Sequence, residues 1–194
     1  MKWMKKHQKT LVMVAGLTMT VTLSGCVALA VGGAAVGAAV LSDSRSAGTQ
    51  FDDEALENKV ILTLQKSKTP AHVNVVSYNK VALITGEAPT SEEKSKVEWL
   101  VRGTAGVKKV YNYVDVMPNS DYTMRSNDSL ITSKVRSNMT LTKGLSDGKI
   151  KILTERNVVY LMGLVTKEQG SMAADIASRT AGVKNVVTLF EYQN

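Results

Sequence analysis

The chain has 194 residues, 44% hydrophobic, 21% charged and 5% aromatic, with one Cys, two His and a formal charge of +7. That length allows one medium or two small domains, and the composition is neither that of a disordered polymer nor that of a multi-span membrane protein. A single Cys excludes an intramolecular disulfide framework and any zinc site built on Cys pairs. Four of the 24 basic residues are Lys2, Lys5, Lys6 and Lys9, and no acid precedes Asp43. Residues 26–194 hold 20 basic against 17 acidic side chains, so the positive charge belongs largely to the leader and does not argue for nucleic acid.

Residues 1–25 have the layout of a secretory signal. Lys2 to Lys9 is a basic segment, Leu11 to Thr22 is apolar, and Leu23-Ser24-Gly25-Cys26 follows. An ordinary signal ends in small residues before the cut; this one ends in small residues before a Cys, and so resembles a bacterial lipobox. The resemblance implies a diacylglyceryl group on the Cys26 sulfur, cleavage before Cys26, and N-acylation of the new amine. A thiolate is the best available nucleophile for that alkyl transfer. No separate cofactor is expected beyond this covalent lipid. The rival reading, a transmembrane helix running on through Val27 to Leu41, is opposed by Gly25, Gly32, Gly33 and Gly37. Val27 after the Cys, in place of an Asp that resembles an inner-membrane retention signal, favours the outer membrane. Residues 26–50 then form the lipidated Cys and a flexible Ala/Gly/Ser-rich tether.

An internal repeat organises the remainder. Thr104-Ala105-Gly106-Val107-Lys108 recurs as Thr180-Ala181-Gly182-Val183-Lys184, Val73 to Ser77 pairs with Ile150 to Thr154, Val81 to Gly86 with Val158 to Gly163, and Asp53 to Val60 with Asp128 to Val135. The offsets are 76, 77, 77 and 75, which places the length changes in the loop Thr142 to Gly148 and before the last helix. Each copy opens with a helix whose core face is Leu56, Val60 and Leu64, or Ile131, Val135 and Met139. Asp52 or Asp53, and Asn127 or Asp128, are the expected N-caps. Two short strands follow, joined at Tyr78-Asn79-Lys80 and Glu155-Arg156-Asn157. A second helix is expected from Ser91 to Thr104 and from Lys167 to Thr180, ended by Gly106 and Gly182. Its core face is Val97, Leu100 and Val101, or Ala173, Ile176 and Ala177. A last strand runs from Val107 to Val116 and from Val183 to Tyr192. Gly86 and Gly163 inside strands suggest bulges or a close backbone approach.

The order is α-β-β-α-β, an α+β unit with two helices on a three-stranded mixed sheet. Domain boundaries fall at 51–117 and 127–194, with a linker at 118–126. Units of this size bury little surface alone, so face-to-face docking of the two is expected. The element order, the glycine in the second strand and the Ala-Gly-Val-x-x-Val entry to the last strand resemble the BON domain. Two such domains behind a lipobox resemble the dual-BON outer-membrane lipoproteins of Gram-negative bacteria, the DolP family. That resemblance implies a lipid-anchored, periplasm-facing, non-enzymatic protein that binds anionic phospholipid. It further implies roles in envelope integrity, division-site function and outer-membrane protein assembly, with the assembly machinery as a further partner.

No catalytic constellation is legible. His72 is the only His after the leader and reads as a structural or exposed residue, with no nucleophile–acid set around it. Phosphate-loop and dinucleotide patterns are absent, so neither a small-molecule substrate nor nucleic acid is expected. The two opening helices differ in charge. Copy one carries Asp52, Asp53, Glu54 and Glu57 against Lys59; copy two carries Asp128 against Lys134 and Arg136. Beside the core face of copy two, Leu130, Lys134 and Ser137 form a stripe that ends near Leu141. A basic stripe with apolar teeth can lie among lipid headgroups, which makes Leu130, Lys134, Arg136, Ser137 and Leu141 the candidate lipid-binding residues. The competing reading is a periplasmic protein-binding scaffold, supported by the acidic first helix and by Tyr111 and Tyr113 on one strand face.

Overall fold

The computed structural model describes residues 47–145 and 147–193. Cys26, the leader and the tether up to residue 46 lie outside them. The described chain runs α1 (Ala47–Ser67), β1 (His72–Tyr78), β2 (Val81–Ala88), α2 (Ser91–Arg102) and β3 (Lys109–Val116). It then repeats as α3 (Tyr122–Thr140), a short 3₁₀ turn, β4 (Ile150–Glu155), β5 (Val158–Val165), α4 (Lys167–Arg179) and β6 (Asn185–Tyr192). Each copy is a three-stranded sheet, with β2 or β5 in the middle, antiparallel to the strand before it and parallel to the strand after it. This is the α+β, α-β-β-α-β arrangement that the repeat implies.

Each middle strand is buried on both faces, which is why it reads as a nearly continuous apolar run. Ala82, Ile84 and Ala88 of β2 turn toward the helices, where Leu56, Val60, Leu64, Val97 and Val101 complete a core. The second copy builds the equivalent core from Val159, Leu161 and Val165 with Ile131, Val135, Met139, Ala173 and Ala177. The opposite faces of the two sheets pack on each other through Tyr78 and Leu83 from one copy and Tyr160 and Met162 from the other. Tyr111 joins this shared layer and Tyr113 meets Tyr160 edge-on at 5.1 Å. The second domain thus covers part of the tyrosine face that could have served a scaffold: Tyr111 is half-buried and Tyr113 stays 36% exposed.

The hairpin turns are two-residue turns with both central residues left-handed, Asn79 (φ 50°) and Lys80 (φ 66°), repeated at Arg156 and Asn157 with the same values. None is glycine, so the conformation needs outside support. It comes from Asp53 and Asp128. Asp53 accepts from the Asn79 and Lys80 amides at 2.8 Å and from the Ser77 hydroxyl at 2.9 Å. Asp128 accepts from the Arg156 and Asn157 amides at 2.8 Å. This corrects their expected role as N-caps. Both are buried inside longer helices, because α1 starts at Ala47 and α3 at Tyr122. The cap of α3 is Asp121, whose side chain accepts from the Met124 amide at 2.8 Å. Residues 122–126, read as linker from the sequence, are thus helical.

The second helices end earlier than expected, at Arg102 and Arg179. Gly106 and Gly182 do not terminate them. They lie in the following loops at φ +110° and +101°, where a Cβ would press on Leu56 at 3.2 Å or on Ile131 at 3.1 Å. Gly86 and Gly163 prove to be points of close backbone approach: a Cβ would lie 2.0 Å from the His72 carbonyl oxygen or 2.6 Å from that of Lys149.

Candidate functional site

α3 packs Ile131, Val135 and Met139 against its sheet and turns the opposite side to solvent. Leu130 is 60% exposed and Leu141, at the helix end, 82% exposed. Lys134, Arg136 and Ser137 are exposed as well. At ~100° per residue, Leu130, Lys134, Ser137 and Leu141 share one strip, so the structure brings these four predicted residues together. Arg136 does not join them. Six positions from Leu130, it lies about 120° around the helix, on the side of Arg125 and Ser129. Neither Lys134 nor Arg136 makes an ion pair among the described residues. The only acid within α3 is Asp128, which is buried on its hairpin turn. The outward face of this helix is therefore cationic and apolar with no opposing carboxylate.

Sequence reasoning missed one exposed aromatic of this helix. Tyr122 is 81% exposed at the first position of α3 and lies about 80° around the helix from Leu130, toward the flank of Arg136; assigning 118–126 to a linker concealed it. The signal was Asp121, followed three residues later by the Met124 amide that it caps.

The acidity of α1 is smaller on the surface than in the sequence. Asp53 is buried on its turn. Glu57 bonds the Ser77 amide at 2.7 Å and pairs with Lys151 of the second domain. Asp52 and Glu54 remain exposed, and Asp52 lies 3.3 Å from Lys80. Outward apolar residues Phe51 and Leu62 interrupt this helix face.

A second region was not foreseen. A cleft of about 340 Å³ opens between the domains, lined by His72 and Asn74 on one side and Arg125, Asp128, Thr132 and Glu155 on the other. Glu155 is buried and accepts from Asn74 at 2.7 Å and Thr85 at 3.4 Å. Glu87, fully buried, accepts from Ser120 at 3.2 Å and faces Arg156 at 3.4 Å. Burial pushes the Glu155 carboxyl above its ordinary range; the Asn74 hydrogen bond opposes this and the nearby charges of Glu87 and Asp128 add to it. Burial lowers the His72 imidazole, Arg125 lowers it further, and Glu87 opposes both. His72 is thus half-buried in a polar cluster rather than an isolated surface residue.

No helix among the described residues is long and apolar enough to cross a membrane. The BON domain family matches residues 52–118 and 127–194. The chain is 41% identical over 179 residues to the outer membrane lipoprotein DolP of Haemophilus influenzae, covering 91% of this chain and 93% of that one. It is 35% identical over 153 residues to a 21 kDa hemolysin of Actinobacillus pleuropneumoniae, covering 77% and 79%. Among solved structures, CdsD, a structural protein of the type III secretion system of Chlamydia trachomatis, aligns with a TM-score of 0.30 at 10% identity, covering 72% of this chain and 92% of that one; a likeness that slight carries no argument. With both repeats matched and the relationship to DolP spanning nearly the whole chain, the protein belongs to the BON-domain family as a dual-BON, DolP-like protein.

Proposed function

We propose that a lipid on Cys26 anchors the protein to the periplasmic face of the outer membrane, and that its second BON domain rests the outward face of α3 on anionic phospholipid. It is non-enzymatic in this reading. It serves envelope integrity, division-site function and outer-membrane protein assembly, as the resemblance to dual-BON lipoproteins implies. The observation that carries the lipid reading is the composition of that face: Leu130 and Leu141 exposed beside Lys134, Tyr122 exposed on the flank of Arg136, and no exposed acid in the helix. Apolar teeth enter the headgroup region while the lysine remains at the phosphates. Tyr122 supplies the aromatic group that favours a membrane–water interface. Arg136, on the neighbouring flank, adds attraction at a distance.

Each Lys or Arg near an anionic surface contributes ~1 kcal/mol. Lys134→Glu reverses one charge, so it should cost ~2 kcal/mol, or about 30-fold in vesicle affinity. Flotation of residues 47–194 with phosphatidylglycerol vesicles tests this. Binding should weaken as salt rises, because exposed charges are screened over ~8 Å at physiological ionic strength, and phosphatidylcholine vesicles should bind poorly. If a folded Lys134→Glu variant floats as well as the unsubstituted protein, the lipid reading fails and a protein-binding scaffold takes its place. Intact mass of the membrane form tests the anchor: the chain should begin at Cys26 and carry acyl groups.

A further inference from the structure

His72 and Glu87 are direct cross-strand neighbours in the antiparallel pair of β1 and β2. Directly opposed residues point their side chains to the same side of the sheet, here the side that meets the second domain. Glu155, the last residue of β4, enters the same space from the facing sheet. One ligand-type atom from each of these residues lies within 4.8 Å of the other two. We propose that His72, Glu87 and Glu155 form a divalent transition-metal site, best suited to Zn²⁺, that joins the two BON domains.

Three features support this assignment. The donor set is chemically right: one imidazole nitrogen and two carboxylate oxygens suit zinc, with an open position for water. In a tetrahedral shell with bonds of ~2.1 Å the donor atoms stand roughly 3.4 Å apart, so side-chain rotations of about an ångström close the set. His72 and Glu155 line the cleft, which gives the ion an entry path.

The electrostatics also call for a cation. Glu87 is fully buried and Glu155 nearly so, and two buried carboxylates this close repel each other. Arg156, 3.4 Å from Glu87, is the cation paired with this cluster among the described residues, and Arg125 lines the cleft beside it. Asn74 already orients the Glu155 carboxylate, its side-chain amide donating to Oε2 at 2.7 Å. Because His72 and Glu87 belong to one domain and Glu155 to the other, a bound ion would oppose their separation.

The test uses the full chain in detergent, stripped with EDTA and titrated with Zn²⁺, with Mg²⁺ as control, while thermal unfolding is followed. At a hundredfold excess over Kd the midpoint should rise by roughly 5–10 °C, and Mg²⁺ should leave it unmoved. His72→Ala and Glu155→Gln should each abolish the rise. Glu155→Gln carries a second, opposite expectation. It removes one of two crowded carboxylates and keeps the side chain's size, so in EDTA its midpoint should match or exceed that of the unsubstituted protein. A variant that is folded in EDTA yet deaf to zinc supports the site. If the unsubstituted protein shows no zinc-dependent shift, or if both folded variants respond as it does, the cluster is neutralised by Arg156 alone and the proposal is overturned.

Discussion

Replacing Asp128 with Ala removes the support from a turn that has no glycine to relieve it. Its carboxylate accepts two backbone N–H groups at 2.8 Å, from Arg156 and Asn157, both left-handed. Hydrogen bonds to a charged group contribute ~1.5–3 kcal/mol each. Both donors sit in half-buried residues, so water recovers part of the loss, and the expected cost is ~2–4 kcal/mol. For a chain of this size that lowers the unfolding midpoint by roughly 5–15 °C. The matching change, Asp53→Ala, should cost more, because Asp53 also accepts from the buried Ser77 hydroxyl. Lys80→Gly should go the other way and gain about 1 kcal/mol, since glycine adopts φ 66° without the steric cost that lysine bears there. Urea unfolding of the three variants, read by circular dichroism, supplies the measurement. If Asp128→Ala unfolds within about 0.5 kcal/mol of the unsubstituted protein, the clasp is incidental and the turn holds itself.

Gly86→Ala should be among the most damaging single-methyl changes: the new carbon would lie 2.0 Å from the His72 oxygen at φ +124°, and a loss on the order of 3–5 kcal/mol should appear in the same urea assay. Tyr78→Phe should cost ~1–2 kcal/mol, because the phenol oxygen accepts from the Leu164 amide of the other domain at 2.8 Å; a double-mutant cycle across the interface would measure the coupling. Glu98 gives a pH signature. Hydrogen bonds from Asn112 first, and then Arg102, hold its carboxyl below the ordinary range, so its contribution is present above the unfolded-state pKa and fades as pH falls through the lower folded value. Glu98→Gln should therefore lower stability at pH 7 and flatten the acid side of the profile, its deficit against the unsubstituted protein fading as pH falls from about 5 to 3.

The repeat and its periodicities made most of the fold legible. Spacings of four found the buried residues of α1 and α3, and alternation found β3 and β6. The cores then follow from those faces. Where the reading failed, the deciding partner was far away in the chain. An aspartate that begins a helix and one that reaches from mid-helix to a turn 26 residues later look alike locally. The same holds for Glu57, which pairs with Lys151 across 94 positions, and for Glu155, bonded to Asn74 across 81. On α3, a stripe of four survived because helical geometry is local; Arg136 was added by charge alone and lies on another flank. His72 looked solitary because the two carboxylates near it are its neighbours only once the strands have paired and the sheets have met.

The shared layer of Tyr78, Leu83, Tyr160 and Met162 bears on what the duplication achieved. Each copy has spent the free face of its sheet on its twin, so neither copy is a detachable module. A chain cut near Pro118 would release a half-molecule whose sheet presents aromatic and aliphatic side chains to water, with β1 and β3 at unpaired edges. Such a fragment should seek a second copy of itself to replace the missing half. Gene duplication in this chain thus reads as an internalised dimer. Its two subunits need no longer find each other by diffusion, and one of them is free to change its outward helix without endangering the contact that holds both.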